Sequence, residues 1–137
     1  NETTAAAGCT VTCTAMALTA IGYEIDPQQL CEALKREDGF TTQGYLVWAA
    51  VGAVTRGKAT VGFPELSHGA IESELAQRRP VIAKILLAPS VPHWVLIVGK
   101  QGDDFLVMDP LNADRALVPL SSRSGAIHAV RSIRATS

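Results

Sequence analysis

The sequence is short of charge, of aromatic rings and of cysteine. Only 18% of its residues are charged and 5% are aromatic, against roughly 25% charged in ordinary soluble domains. That deficit points to surface covered by something else, such as the rest of a longer chain. Neither sign of charge dominates, since 12 Lys and Arg face 13 Asp and Glu for a net charge of -1. A nucleic-acid partner needs a basic face to neutralise phosphates, so that class is excluded. Nothing favours an anionic membrane surface either. Three cysteines are an odd number and too few for a disulfide scaffold, which leaves at least one thiol free. Cys-x-x-Cys and His-Glu-x-x-His spacings are absent, so Cys9 and Cys13, four residues apart, have little else with which to build a metal site.

Residues 3–23 carry no charge at all, a run long enough to raise the question of a membrane span. Six threonines and two glycines interrupt it, and Glu2 stands where a signal peptide wants Lys or Arg. No membrane span is expected. Ala6-Ala7-Gly8-Cys9 has the residues of a lipoprotein cleavage site but neither the apolar stretch before it nor the flexible tether after it. Asn1 is no initiator Met, so further chain upstream is expected. At 137 residues the sequence matches the prior for one domain, residues 1–137, with a core that needs neither metal nor disulfide.

What is present begins with helices. Cys9, Cys13, Met16, Ala17 and Ala20 recur at steps of three and four, which predicts a helix over Cys9–Ile21 stopped by Gly22. Asp26-Pro27-Gln28-Gln29 predicts a second helix, with Asp26 as cap, Pro27 in the first turn and Gln29 completing a capping box. A third is expected from Thr41 or Thr42 onward, and Ser67 caps a fourth that runs toward Arg78-Arg79. The period then changes. Val81–Leu87, His93–Gly99, Phe105–Asp109 and Ile127–Arg134 read as strands. Helices first and strands later is the α+β pattern with a mostly antiparallel sheet.

Two of these strands form a hairpin that brings chemistry together. A three-residue loop at Lys100-Gln101-Gly102, with Gly102 left-handed, sets Gly99 opposite Asp103. His93 then falls opposite Asp109 on one face, with Cβ atoms about 4.5–5.5 Å apart. An imidazole and a carboxylate meet at the open end of an apolar hairpin. On residues alone they read equally as strand-end side chains facing water. His68 and His128 have no carboxylate at a telling offset and read as structural or surface residues.

Cys9 follows Gly8 in the first turn of the first expected helix. Unpaired N–H groups and the helix dipole there lower a thiol pKa and can hold an oxyanion. A helix-start thiol with a distant His–Asp pair is the layout of Cys-His-Asp nucleophilic catalysis. The competing view treats Cys9 as a small buried apolar residue, as Cys13 and Cys31 are expected to be.

Gly8-Cys9-Thr10-Val11-Thr12-Cys13-Thr14-Ala15-Met16 resembles the Gly-Cys-x-x-Thr-x-x-Ala-Met signature of the bacteriocin-processing cysteine peptidases and their C39-like relatives in the papain-like superfamily. Pro27-Gln28-Gln29-Leu30, Gly39–Trp48, His93–Gly99 and Asp109-Pro110-Leu111-Asn112 follow in the family's order, so the resemblance spans about residues 8–112. It implies a papain-like fold with N-terminal helices packed on the sheet. By position it implies Cys9 as nucleophile, His93 as base and then acid, and Asp109 as its orienting partner. The implied partner is a peptide or protein substrate, cut through a Cys9 acyl-enzyme with no cofactor. Cell-wall amidases and deamidating enzymes use the same triad on other substrates. Phe40, Tyr45, Phe63 and Trp94 are candidates for the lining of a substrate pocket. Many active members carry a Gln six residues before the cysteine to complete the oxyanion hole, where this chain has Thr3. That departure carries the second expectation, a degenerate domain that binds a peptide or partner without cleaving it.

Overall fold

A computed structural model describes residues 2–42, 46–87, 91–111, 116–123 and 126–136, with the side chains of residues 2–7 excepted. Four helices precede or interrupt a six-stranded sheet. The first helix, α1 (Glu2–Ala20), is followed by α2 (Pro27–Arg36) and the short α3 (Ala50–Val54). Then come β1 (Ala59–Gly62), α4 (His68–Ala76), β2 (Val81–Leu87), β3 (Val91–Gln101) and β4 (Asp104–Met108). The chain closes with β5 (Leu117–Pro119), a 3-10 turn (Leu120–Ser122) and β6 (Ala129–Ala135). The strands lie in the order β1-β6-β2-β3-β4-β5, and every neighbouring pair is antiparallel. The expected α+β class is what the chain adopts.

Local chemistry explains the elements that match expectation. At the start of α2 the Asp26 carboxylate accepts from the Gln29 N–H at 2.7 Å. The Gln29 side chain accepts in return from the Asp26 N–H at 3.0 Å, completing the reciprocal box. Ser67 caps α4 by accepting from the Ala70 N–H at 3.1 Å. The structure departs from expectation at α1. It begins at Glu2, seven residues before Cys9, because the run from Thr3 to Gly8 contains no residue that stops a helix outright. Neither β1 nor β5 was expected. They are three or four residues long and sit at the two edges of the sheet, too short to show a period.

Both faces of the sheet are covered. One carries the first three helices: Val11, Cys13, Ala15, Ala17 and Leu18 of α1 and Leu30 and Leu34 of α2 bury against Ile82, Leu96 and Ile133. The charge-free run is therefore a helix packed on a sheet rather than a span. No helix among the described residues is long and apolar enough to cross a membrane. On the other face, Ile71 of α4 and Leu120 of the 3-10 turn pack on Ile85, Val95, Ile97, Phe105 and Val107. Each such side chain, fully buried, contributes roughly 1.5–3 kcal/mol.

The β3–β4 hairpin differs in register from the expected one. Gln101 pairs with Asp104, so the loop is the two residues Gly102 and Asp103. Gly102 has φ +63, the conformation that the first central position of a two-residue hairpin turn demands. A bulge at Val98 then shifts the register between Ile97 and Gly99. Beyond it Leu96 faces Met108 and Ile97 faces Val107. Carried on at that step, Asp109 lies across from Val95, one diagonal from His93. Because side chains alternate with period two, the single bulged residue returns His93 to the face of Asp109.

Candidate active site

The histidine enters from β3, near the end of the strand that faces away from the turn. His93 is buried, and its Cα partner on β2 is Ile85. Asp109 directly follows the last residue of β4 and precedes Pro110, which has no N–H with which to continue a ladder. The Leu111 N–H donates to Asp109 Oδ1 at 2.9 Å, a local turn that aims the carboxylate before any distant partner arrives. His93 Nε2 lies 2.7 Å from the same oxygen. Diagonal neighbours on one face of a hairpin come within reach of long or aromatic side chains, so the expected pair forms despite the altered register.

Arg123, just after the 3-10 turn, supplies a third donor. Its Nε donates to Asp109 Oδ2 at 2.8 Å. That turn is also tied to the other end of β4, where Asp104 Oδ1 accepts from the Ser121 N–H at 3.3 Å. Burial alone would raise the Asp109 pKa, but the Leu111 N–H, His93 and Arg123 together hold the carboxyl below its ordinary range. Asp109 is thus an anion with three donors. An anion only accepts, so Nε2 of His93 carries a proton, and in the neutral ring Nδ1 is then the atom with the lone pair.

That lone pair points at Cys9. Cys9 Sγ lies 3.2 Å from His93 Nδ1. One turn further along α1, Cys13 is fully buried and its thiol donates to the Trp94 carbonyl at 3.4 Å. Cys13 therefore fastens α1 to the strand residue next to His93, and α1 and β3 are in extensive contact. Cys31 is part-buried against the same core. None of the three cysteines is in a disulfide.

Two expectations for Cys9 are corrected. It does not lie in the first turn of its helix but roughly two turns inside, where its own N–H belongs to the helical ladder. The dipole's influence fades within the first turn. Accordingly the thiol pKa moves up from its ordinary 9.0 rather than down, chiefly through burial, with a backbone hydrogen bond from Trp94 opposing and the Asp109 charge adding to the rise. That direction favours the protonated thiol, a donor matched to a lone pair on Nδ1.

The other singled-out residues scatter. His68 is exposed, stacked near Phe105 and 3.9 Å from Glu72. His128 is exposed, with its backbone N–H donating to the Lys84 carbonyl. Trp94 packs beside the site, Phe63 stands exposed beyond it, and Phe40 packs against the helical core. Tyr45 and Asn112 lie outside the described residues, as does the side chain of Thr3. Among the described residues no three of His, Cys, Asp and Glu could hold a metal ion. Sequence reasoning missed Arg123, which sits 14 residues from Asp109 with no local pattern linking them.

Compared with known families, residues 1–121 match the model of the Peptidase_C39 like family. No curated protein matches the sequence.

Proposed function

The chain belongs to the Peptidase_C39 like family, and from that premise we propose that it hydrolyses peptide bonds through a Cys9 thioester. The observation that carries the proposal is the chain of contacts Cys9 Sγ–His93 Nδ1–His93 Nε2–Asp109, at 3.2 and 2.7 Å. Cys9 attacks the substrate carbonyl carbon while its thiol proton passes to Nδ1. Asp109 steadies the imidazolium through Nε2–H. As the C–N bond breaks, Nδ1 returns the proton to the leaving amine. Water then adds to the thioester, giving its proton to Nδ1, and the acid leaves as the thiol is restored. Because burial favours the protonated thiol, His93 acts as a general base during attack rather than as the partner of a preformed thiolate.

Iodoacetamide labelling followed residue by residue tests this. Cys9 is expected to react faster than the fully buried Cys13 and than Cys31, and His93→Ala to slow Cys9 about tenfold or more. Uniform labelling that ignores His93→Ala would remove the peptidase proposal.

One observation favours a second reading. The Cys9 N–H is committed to the helix, and the oxyanion Gln of the family is replaced by Thr3. Losing one oxyanion donor costs on the order of a hundredfold or more in rate. A domain that binds peptides without turnover would still label at Cys9 yet release no product from any peptide it binds.

A further inference from the structure

On the face of the sheet that carries α1, α2 and α3, the end nearest His93 has a basic and aromatic shelf. Lys84 of β2 stands opposite Trp94, the residue after His93, and opposite Ala129 of β6. Two residues on, Arg131 of β6 stands opposite Ile82, so Lys84 and Arg131 share this face. Trp94 packs on Trp48 with centroids 5.6 Å apart. The Arg131 guanidinium lies 5.6 Å from the Trp48 ring and 4.8 Å from the Phe63 ring. Cys9 meets the Trp94 backbone, and from the Trp94 ring contacts run to Trp48, Arg131 and Phe63.

This shelf is electrically unfinished. Neither Lys84 nor Arg131 forms an ion pair among the described residues, although Arg79, Lys100, Arg123 and Arg134 all do. Arg131 Nη1 donates to the Val130 carbonyl, but its Nε is buried with no acceptor among the described residues. A buried donor without a partner costs free energy that an arriving acceptor recovers. Burial also lowers the Arg131 pKa, as expected of a cation without a counter-charge. Phe63 meanwhile is 63% exposed over the guanidinium, apolar area in a position to cover a ligand. A neutral apolar ligand would bury the rings but leave two cations and the Nε–H unanswered. An acidic side chain answers all three, with its methylenes against the rings and its carboxylate on Arg131.

We propose that Arg131 and Lys84, with Trp48, Trp94 and Phe63, form a subsite beside Cys9 that receives an acidic side chain of a peptide. As the substrate preference of the peptidase site, this rests on the function proposed above; as a binding site it does not need turnover.

The test uses the full chain carrying Cys9→Ala, so that binding is read without cleavage. The probes are N-acetylated, C-amidated octapeptides of Gly, Ser and Leu in which one Glu, or one Gln, is moved through every position. The two tryptophans of the chain are Trp48 and Trp94, so intrinsic fluorescence reports on the shelf itself. At one position Glu is expected to bind about tenfold more tightly than Gln, and added salt to weaken the preference. Arg131→Gln should abolish the preference, Lys84→Gln reduce it, and Arg131→Lys, which keeps the charge, retain part of it. No preference for Glu at any position, or one that survives both Arg131→Gln and Lys84→Gln, overturns the subsite. Should Arg131→Gln fail to fold, Arg131→Lys and Lys84→Gln carry the same comparison. A Glu preference in a chain whose Cys9 proves unreactive would leave the subsite standing and remove only the peptidase reading.

Discussion

Three donors converge on Asp109, and Asp109 in turn fixes the ring of His93, whereas Cys9 meets that ring from a helix that does little to favour its anion. The base side of the site is a sheet construction, clamped at both ends of β4 and completed by Arg123. The nucleophile side depends on α1 being held against β3, with Cys13 on the Trp94 carbonyl one turn away. On the proposed peptidase function, organisation goes into aiming a proton acceptor, while burial raises the thiol pKa.

This contrast is best broken by removing one side at a time. If the peptidase proposal holds, Cys9→Ala has the largest effect on turnover, a loss of roughly ten-thousandfold or more in kcat. It should change stability little near neutral pH, because among the described residues the thiol meets only the ring and the Trp94 backbone. Peptide hydrolysis and urea denaturation on the same preparation would show the split. Comparable losses of stability for Cys9→Ala and Asp109→Ala would erase the contrast between the two sides.

Asp109→Ala should cost both. It leaves the His93 ring free to adopt either tautomer, with a loss on the order of a thousandfold in kcat. It also strips the acceptor from three donors. Breaking a buried ion pair costs roughly 3–5 kcal/mol, but the Arg123 side chain is 27% exposed, so about 2–3 kcal/mol is the better expectation. Urea midpoints give the number.

The two sides also titrate in opposite directions. The depressed Asp109 pKa contributes stability that is complete above the ordinary carboxyl value of 3.8 and is lost as pH falls through the lower folded value. The raised Cys9 pKa acts at the other extreme. Above 9.0 the unfolded thiol ionises first, so the folded state holds more protons and stability falls as pH rises toward the folded value. Cys9→Ala should flatten the alkaline slope and leave the acid slope untouched, while Asp109→Asn should flatten the acid slope and, by removing a charge that adds to the Cys9 rise, lessen the alkaline one. Denaturation midpoints across both ranges check the pair.

Arg123→Gln is the smallest change. It removes one of three donors and a partly exposed charge, for about tenfold in kcat and about 1 kcal/mol. If the role is positioning, the pH dependence of kcat should shift along with its size, since the loss of Arg123 leaves the Asp109 charge on His93 less opposed. A purely structural role would lower stability and leave the profile in place.

Legibility in the sequence followed how local each feature is. The Asp26–Gln29 box spans four residues and was readable in full. The His93–Asp109 contact was readable because both lie on one hairpin, yet the register was not. Gly102 was placed as the last of three loop residues and is the first of two, and nothing in Ile97-Val98-Gly99 announces a bulge. Cys9's surroundings were misread because an alanine- and threonine-rich stretch gives no sign of where its helix begins. Arg123 and the Arg131 shelf depend on tertiary packing between segments far apart in the chain, and periodicity carries no trace of that.

The bulge at Val98 has a consequence for how this hairpin can be altered. At the present chain length between them, His93 and Asp109 share a face only while loop residues and bulged residues together make an odd number, two and one in this hairpin. A straight pairing with a three-residue loop meets the same condition, and leaves Leu96 opposite Met108 as before. The tip of the hairpin is therefore exchangeable within a parity rule. Deleting a paired residue between His93 and the bulge would turn the imidazole away from its carboxylate, whereas deleting the bulged Val98 would not.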